Sequence, residues 1–399
     1  MVDFFRFGNM PRRMKTRKIQ LSVLLLCGFS YLLLYYFFSQ EIMSSLLSWQ
    51  DHDFHLRLLR ILENQNTYSP FFDEHPVPYP VLFHNIVRAT SAALDMRLET
   101  ALLFVSCLAG FGFSFLIFLV ISRIFGDNLA GFVGALLLGV GANFAAFFSR
   151  TIFFGGAFIF PISYLVAGFL PNLLGHFFGL FMLYMITRSK VQSLSSILSC
   201  SVLGAMLILS HPIASITYFI ATVCLFISSY MTHESIGFRR FGVILLLSIT
   251  ISSPWWLEIL SEFFGKPYLI LLSDAGINRI GCGLLTEITR YYGFVPIFSF
   301  LGIIHIARNP GVNIFIFFWL ILISMLLLTP WGGRFVMELA IPLYMLGAVG
   351  ISQTVKWATS EKDEWFIPRL AALIFTLAVL CDSIRIFEIT RDILVQRLL

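Results

Sequence analysis

The chain is a succession of unbroken apolar runs, each long enough to cross a bilayer, and few folds accept such a pattern. About eleven runs are visible, at roughly 19–38, 100–121, 129–148, 171–187, 193–210, 212–230, 239–256, 291–307, 312–329, 335–355 and 367–385. A helix needs about 20 apolar residues to span the hydrocarbon core. In lipid every backbone N–H and C=O must be satisfied inside the protein, so only helices or a closed barrel qualify. The runs are continuous rather than alternating, which speaks for helices and against barrel strands. Composition agrees, with 58% hydrophobic and only 12% charged residues, where a soluble chain carries about 25% charged. The expected fold class is all-α: a polytopic transmembrane helical bundle, one membrane domain over residues 1–399, with no soluble domain appended.

The distribution of charge predicts the orientation. Arg12, Arg13, Lys15, Arg17 and Lys18 directly precede the first run. No small-residue cleavage site follows the run at 19–38, so it reads as an uncleaved signal anchor with the N-terminus in the cytoplasm. Arg123, Arg188 with Lys190, Arg239 with Arg240, Arg308, and Lys356 with Lys362 then fall in inside loops, as the positive-inside rule requires. This agreement depends on the Gly- and Phe-rich segment 150–170 being external or re-entrant, since a span there would invert all that follows. The net charge of +5 sits mainly in these cytoplasmic stubs and predicts no nucleic-acid partner. The six cysteines show no metal-ligand spacing and read as apolar packers, not a disulfide framework.

The ionisable residues that remain gather on the predicted extracytoplasmic side. They lie in the loop 39–99, the 149–170 segment with Arg150, the loop 257–290, and the short Thr329-Pro-Trp-Gly-Gly-Arg-Phe connection with Arg334 and Glu338. The densest cluster is Asp51-His52-Asp53-Phe54-His55, just past the first span. Residues 42–65 read as an amphipathic helix lying along the interface, with Ile42, Leu46, Leu47, Trp49, Phe54, Leu58 and Leu59 apolar. On that helix Asp51 and His55 are four apart and share a face, whereas Asp53 is offset. Asp73 and Glu74 form a second acidic pair and lead to His84 on a second interfacial helix. Carboxylates beside imidazoles suit three tasks: a general base for a hydroxyl acceptor, ligands for a divalent metal such as Mg or Mn at a leaving phosphate, or an ion path. A solvated helix whose charges simply face water is the structural alternative.

Asp51-His52-Asp53-Phe54-His55-Leu56-Arg57, followed by Pro78-Tyr79-Pro80-Val81-Leu82-Phe83-His84, resembles the first loop of the GT-C superfamily of membrane glycosyltransferases. The same loop is similar to that of the oligosaccharyltransferase catalytic subunit, where an acidic residue is followed by an aromatic and an Arg. The resemblance covers the first ~100 residues by motif and the remainder by topology. It implies an enzyme that moves a sugar from a polyprenyl-phosphate-linked donor to a lipid or protein acceptor on the extracytoplasmic face. It implies that Asp51 or Asp53 is the catalytic acid residue, as base or metal ligand, with His55 beside it. It implies a donor-phosphate arginine in a late external loop, a place Arg334 fits, and guanidinium geometry suits a phosphate. The Trp-Trp-Asp-Tyr-Gly signature of oligosaccharyltransferase is absent, so transfer of a whole glycan to a sequon is not implied.

Weaker candidates are Glu287, in a loop where such enzymes keep a mobile cover over the site, and His211 at the outer end of two spans. Asn172 and His176 open a span, and Asn172 reads as a satisfier of helix N-terminal backbone groups. Arg150 reads as a snorkelling cation, Trp255 and Trp256 as interfacial anchors, and Gly131, Gly134, Gly139 and Gly141 as points of close helix packing. Two other function classes stay open: a flippase or transporter of lipid-linked sugars, and a non-catalytic subunit of a membrane complex. Mid-span positions nearly free of charge argue against an ion-coupled carrier.

Overall fold

The computed structural model describes residues 12–41, 50–64, 82–140, 170–189, 193–232, 238–257, 295–308, 311–329 and 332–358. All regular elements among them are helical: α1 (Arg12–Glu41), α2 (Gln50–Asn64), α3 (Leu82–Leu94), α4 (Leu98–Phe125), α5 (Asn128–Ala135) running into a π turn (Leu136–Val140), α6 (Leu170–Ser189), α7 (Leu194–Ser210), α8 (Pro212–Met231), α9 (Phe238–Ile251), α10 (Val295–Arg308), α11 (Phe315–Leu326) after a 3₁₀ turn (Val312–Ile314), and α12 (Gly332–Ala358). Ten of the expected spans therefore coincide with a described helix. The expected run at 367–385, the 150–170 segment and most of the 257–290 loop lie outside the described residues.

Three helix segments, Leu98–Phe125, Pro212–Met231 and Glu338–Ala358, are long and apolar enough by themselves to cross a membrane, and shorter apolar helices accompany them. The protein is an integral membrane protein. Exposed Leu25, Leu32, Leu194, Leu246, Phe300 and Leu328 lie on its outer surface, where lipid rather than water is the natural solvent for them.

Helix α4 is the hub. It packs against α1, α3, α5 and α6, while α12 packs against α10, α11 and α5. The tightest crossing is α10 on α12. A Cβ at Gly350 would run into the Phe298 carbonyl, and one at Gly302 into the Leu346 carbonyl. Without side chains at these positions the two backbones meet directly, as small residues allow in lipid. Ser299 Oγ donates to the Leu343 carbonyl across the same seam at 2.7 Å. Gly131, Gly134 and Gly139 likewise abut α4 side chains, as expected for packing glycines; Gly141 lies outside the described residues.

One polar tie closes the end opposite the candidate site. Asp127 caps α5 by accepting from the Leu129 and Ala130 N–H groups. Its other oxygen accepts from Ser352 Oγ at 2.7 Å and Lys356 Nζ at 2.6 Å. Burial alone would push this carboxyl up; Lys356, Ser352 and the Ala130 amide outweigh it and hold Asp127 below the usual carboxylate range.

Candidate functional site

The first-loop acids sit on a helix that is docked, not loose. In α2 the side chains of Leu56, Leu58, Leu59 and Leu62 are buried, while Arg57, Arg60 and Glu63 face out. That split follows from the 3.6-residue period of the apolar positions. Arg60 reaches Glu99 in the first turn of α4 at 3.2 Å, an exposed contact worth little by itself.

The stronger link is a histidine pair. His55 Nδ1 on α2 lies 3.1 Å from His84 Nε2 on α3. Both rings are buried, and Phe83 packs edge-on against each. One nitrogen must donate and the other accept, so the two rings cannot both be imidazolium in this geometry. Two residues singled out as candidate chemistry therefore meet, and together they clamp the acidic helix to its neighbour.

The helix register puts position 51 one turn before His55 and position 53 between the two faces. The side chains of Asp51, Asp53 and Arg334 lie outside the described part of the structure, as do Asp73, Glu74 and Glu287 altogether. Arg334 is nevertheless not in a loop: α12 starts at Gly332 and carries it in the first turn. Among the described residues no group of three His, Cys, Asp or Glu side chains gathers as a metal site. His55 Nδ1 is engaged by His84 Nε2.

A second polar cluster, which the sequence did not announce, lies inside the bundle. Its centre is Glu338 on α12, expected on the external surface beside Arg334 but fully buried. The reason is register: the helix begins three residues before the apolar run at 335–355, and position 338 falls on the face turned to α6 and α8. Asn172 Nδ2 on α6 donates to Glu338 Oε1 at 3.3 Å. His176 Nε2, one turn further along α6, lies 3.5 Å from the same oxygen. Asn172 thus spends its amide on a side chain across 166 residues of sequence, not on the start of its own helix. Thr217 and His211 also face the carboxylate.

Aromatic rings wall the cluster. Tyr218 lies 5.7 Å from His176 and 5.8 Å from Trp319 between ring centroids, and Phe113 lies 6.0 Å from His176. Gly179 makes room for this: a Cβ there would collide with the Tyr218 ring. Pro342 adds a backbone acceptor at this level. It sits four residues after Glu338 within α12 and has no N–H to offer the Glu338 carbonyl.

Among the described residues, the buried atoms Asn172 Oδ1, Tyr218 OH and Trp319 Nε1 have no hydrogen-bond partner. Each such atom costs about 1–3 kcal/mol in a folded protein.

These features define a class: a polytopic α-helical membrane protein whose candidate groups lie on the first-loop helices and within the bundle. Among solved structures the chain is similar to ArnT from Cupriavidus metallidurans in the apo state, with a TM-score of 0.53 and 12% identity over 91% of this chain and 75% of that one. The same ArnT bound to undecaprenyl phosphate gives a TM-score of 0.47 and 14% identity over 78% of this chain and 64% of that one. At such identities the likeness is one of fold. The sequence matches no family model and no curated protein.

Proposed function

We propose that the chain is a membrane glycosyltransferase that moves a sugar from a polyprenyl-phosphate-linked donor to a lipid or protein acceptor, on the extracytoplasmic face. The observation that carries this reading is the ArnT-like fold across 91% of the chain. The first-loop acidic helix, held on its partner by the His55–His84 pair, supports it. The undecaprenyl phosphate in the second ArnT structure supplies the class of donor lipid by analogy.

In this reading Asp51 or Asp53 takes the proton from an acceptor hydroxyl. The freed oxygen attacks the anomeric carbon of the donor, and the bond from that carbon to the phosphate oxygen breaks. Polyprenyl phosphate leaves with the electron pair, and Arg334 offers the guanidinium that stabilises the charge gathering on it. The histidine pair acts through position: it fixes the helix that carries the acids.

The test is transfer of labelled sugar from membrane polyprenyl-phosphate donors by the purified protein, beside Asp51→Asn and Asp53→Asn. Wild-type transfer that falls at least 100-fold in one variant of unchanged Tm fits a general base. Equal transfer by both variants removes the acids from the mechanism. Addition of a chelator decides the metal: activity that survives it excludes Mg or Mn at Asp51, Asp53 and His55.

A further inference from the structure

The buried carboxylate of Glu338 has no role in the scheme above, yet it stands one helical turn after Arg334 in α12. Three side chains from other helices converge on it. Asn172 donates at 3.3 Å and His176 lies 3.5 Å from the same oxygen, both on α6. Thr217 of α8 is a further partner.

Net stability is a poor reason for this arrangement. An apolar side chain of similar volume commonly serves a buried position as well as an ion pair does, because desolvation offsets most of the pair's attraction. What a charged, directional tie can add is one fixed position for the helix that carries it.

Helix α12 needs such a tie at this level. Pro342 has no N–H for the Glu338 carbonyl, so the helix lacks the backbone hydrogen bond between these two positions. A proline in a helix interior weakens the hold of the later turns on the earlier ones. Arg334 lies in the earlier turns. The side chain of Glu338 therefore ties to α6 and α8 the same turn whose backbone bond the proline removes.

Helix α6 also supports the first-loop helices. Helix α3 packs against α6 and α4, and it holds α2 through the His55–His84 pair. The acidic helix and the turn that carries Arg334, distant in sequence, are thus both referenced to α6.

We infer that Glu338 is a positioning residue: with Asn172, His176 and Thr217 it fixes the start of α12 so that Arg334 meets the phosphate of the polyprenyl lipid. The inference rests on the place of Arg334 in the glycosyltransferase reading, but its test reads lipid binding and needs no transfer. A misplacement of about 1 Å is enough to cost such a group much of its effect.

The experiment is a double-variant cycle on the purified full chain in detergent, with farnesyl phosphate as probe and farnesol as its uncharged control. Arg334→Ala should weaken farnesyl phosphate binding roughly tenfold or more, as loss of a bond to a charged group does. Glu338→Gln keeps the shape and removes the charge. It should weaken binding about fivefold in the wild-type background and less than about twofold in the Arg334→Ala background. Asn172→Ala removes one tie from the α6 side, should show the same dependence on Arg334, and decides the matter if Glu338→Gln does not fold. Farnesol affinity should stay constant throughout.

A merely structural Glu338 gives another pattern: binding weakens by the same factor in both backgrounds, or both lipids are affected alike. Either result overturns the inference, as does a wild type that binds farnesyl phosphate no better than farnesol. Coupled losses of binding in a protein that transfers no sugar leave the positioning role standing and sink the catalytic reading. Transfer by wild type with uncoupled losses of binding does the reverse.

Discussion

At the residue scale the two polar clusters differ in how they tolerate change. His55 and His84 satisfy one another in an apolar setting. His84→Phe leaves His55 Nδ1 without that partner and should cost about 1–3 kcal/mol, whereas the His55→Phe, His84→Phe double variant should recover part of the loss. Thermal melts of the three proteins in one detergent measure it, and additive single effects would contradict the pairing. Glu338 follows a different logic: it is a buried carboxylate engaged by Asn172, His176 and Thr217. The signal for Glu338 was present in the sequence: a lone carboxylate within an apolar run is a functional candidate by default. In the predicted topology it belongs to the external connection with Arg334 and so reads as a surface residue. Asn172 and His176, four apart at the start of a span, carried a weaker signal of a shared face. Thr217, Tyr218 and Trp319 carried none, because ordinary residues in apolar runs become a site only when the fold brings four helices together.

At the element scale the helices follow the apolar periodicity closely, and the departures have local causes. The helix expected over 42–65 is described from Gln50 to Asn64. Helix α12 starts at Gly332, before its apolar run, which converts a supposed loop arginine into a helix residue. The contact of α10 with α12 makes a sharp prediction. Gly350→Ala places a methyl group against the Phe298 carbonyl and should cost about 1–3 kcal/mol or more through forced displacement of one helix. Retention of the wild-type Tm would contradict that backbone contact.

The Asp127 latch predicts a pH dependence. Its folded carboxyl titrates below the ordinary value of 3.8, so the tie contributes fully above the usual carboxylate range and is lost as the pH falls through the lowered value. Asp127→Asn should lower Tm at neutral pH, and the gap between variant and wild type should close in acid. A gap independent of pH would show that the charge on Asp127 does no work.

At the scale of the whole molecule, the sequence already contained the membrane bundle, in apolar runs that coincide with the described helices. It did not contain the second cluster, because spatial convergence across 166 residues leaves no local pattern. A flippase would move the donor without breaking its sugar–phosphate bond. The most direct measurement is therefore the fate of the donor bond. Purified protein in proteoliposomes is given polyprenyl-phosphate donors of several sugars with a membrane extract as acceptor, and released polyprenyl phosphate is quantified against transferred sugar. The account predicts equal molar appearance of both, abolished by Asp51→Asn or Asp53→Asn. Movement of intact donor between leaflets, with no phosphate released under any acceptor, would contradict it.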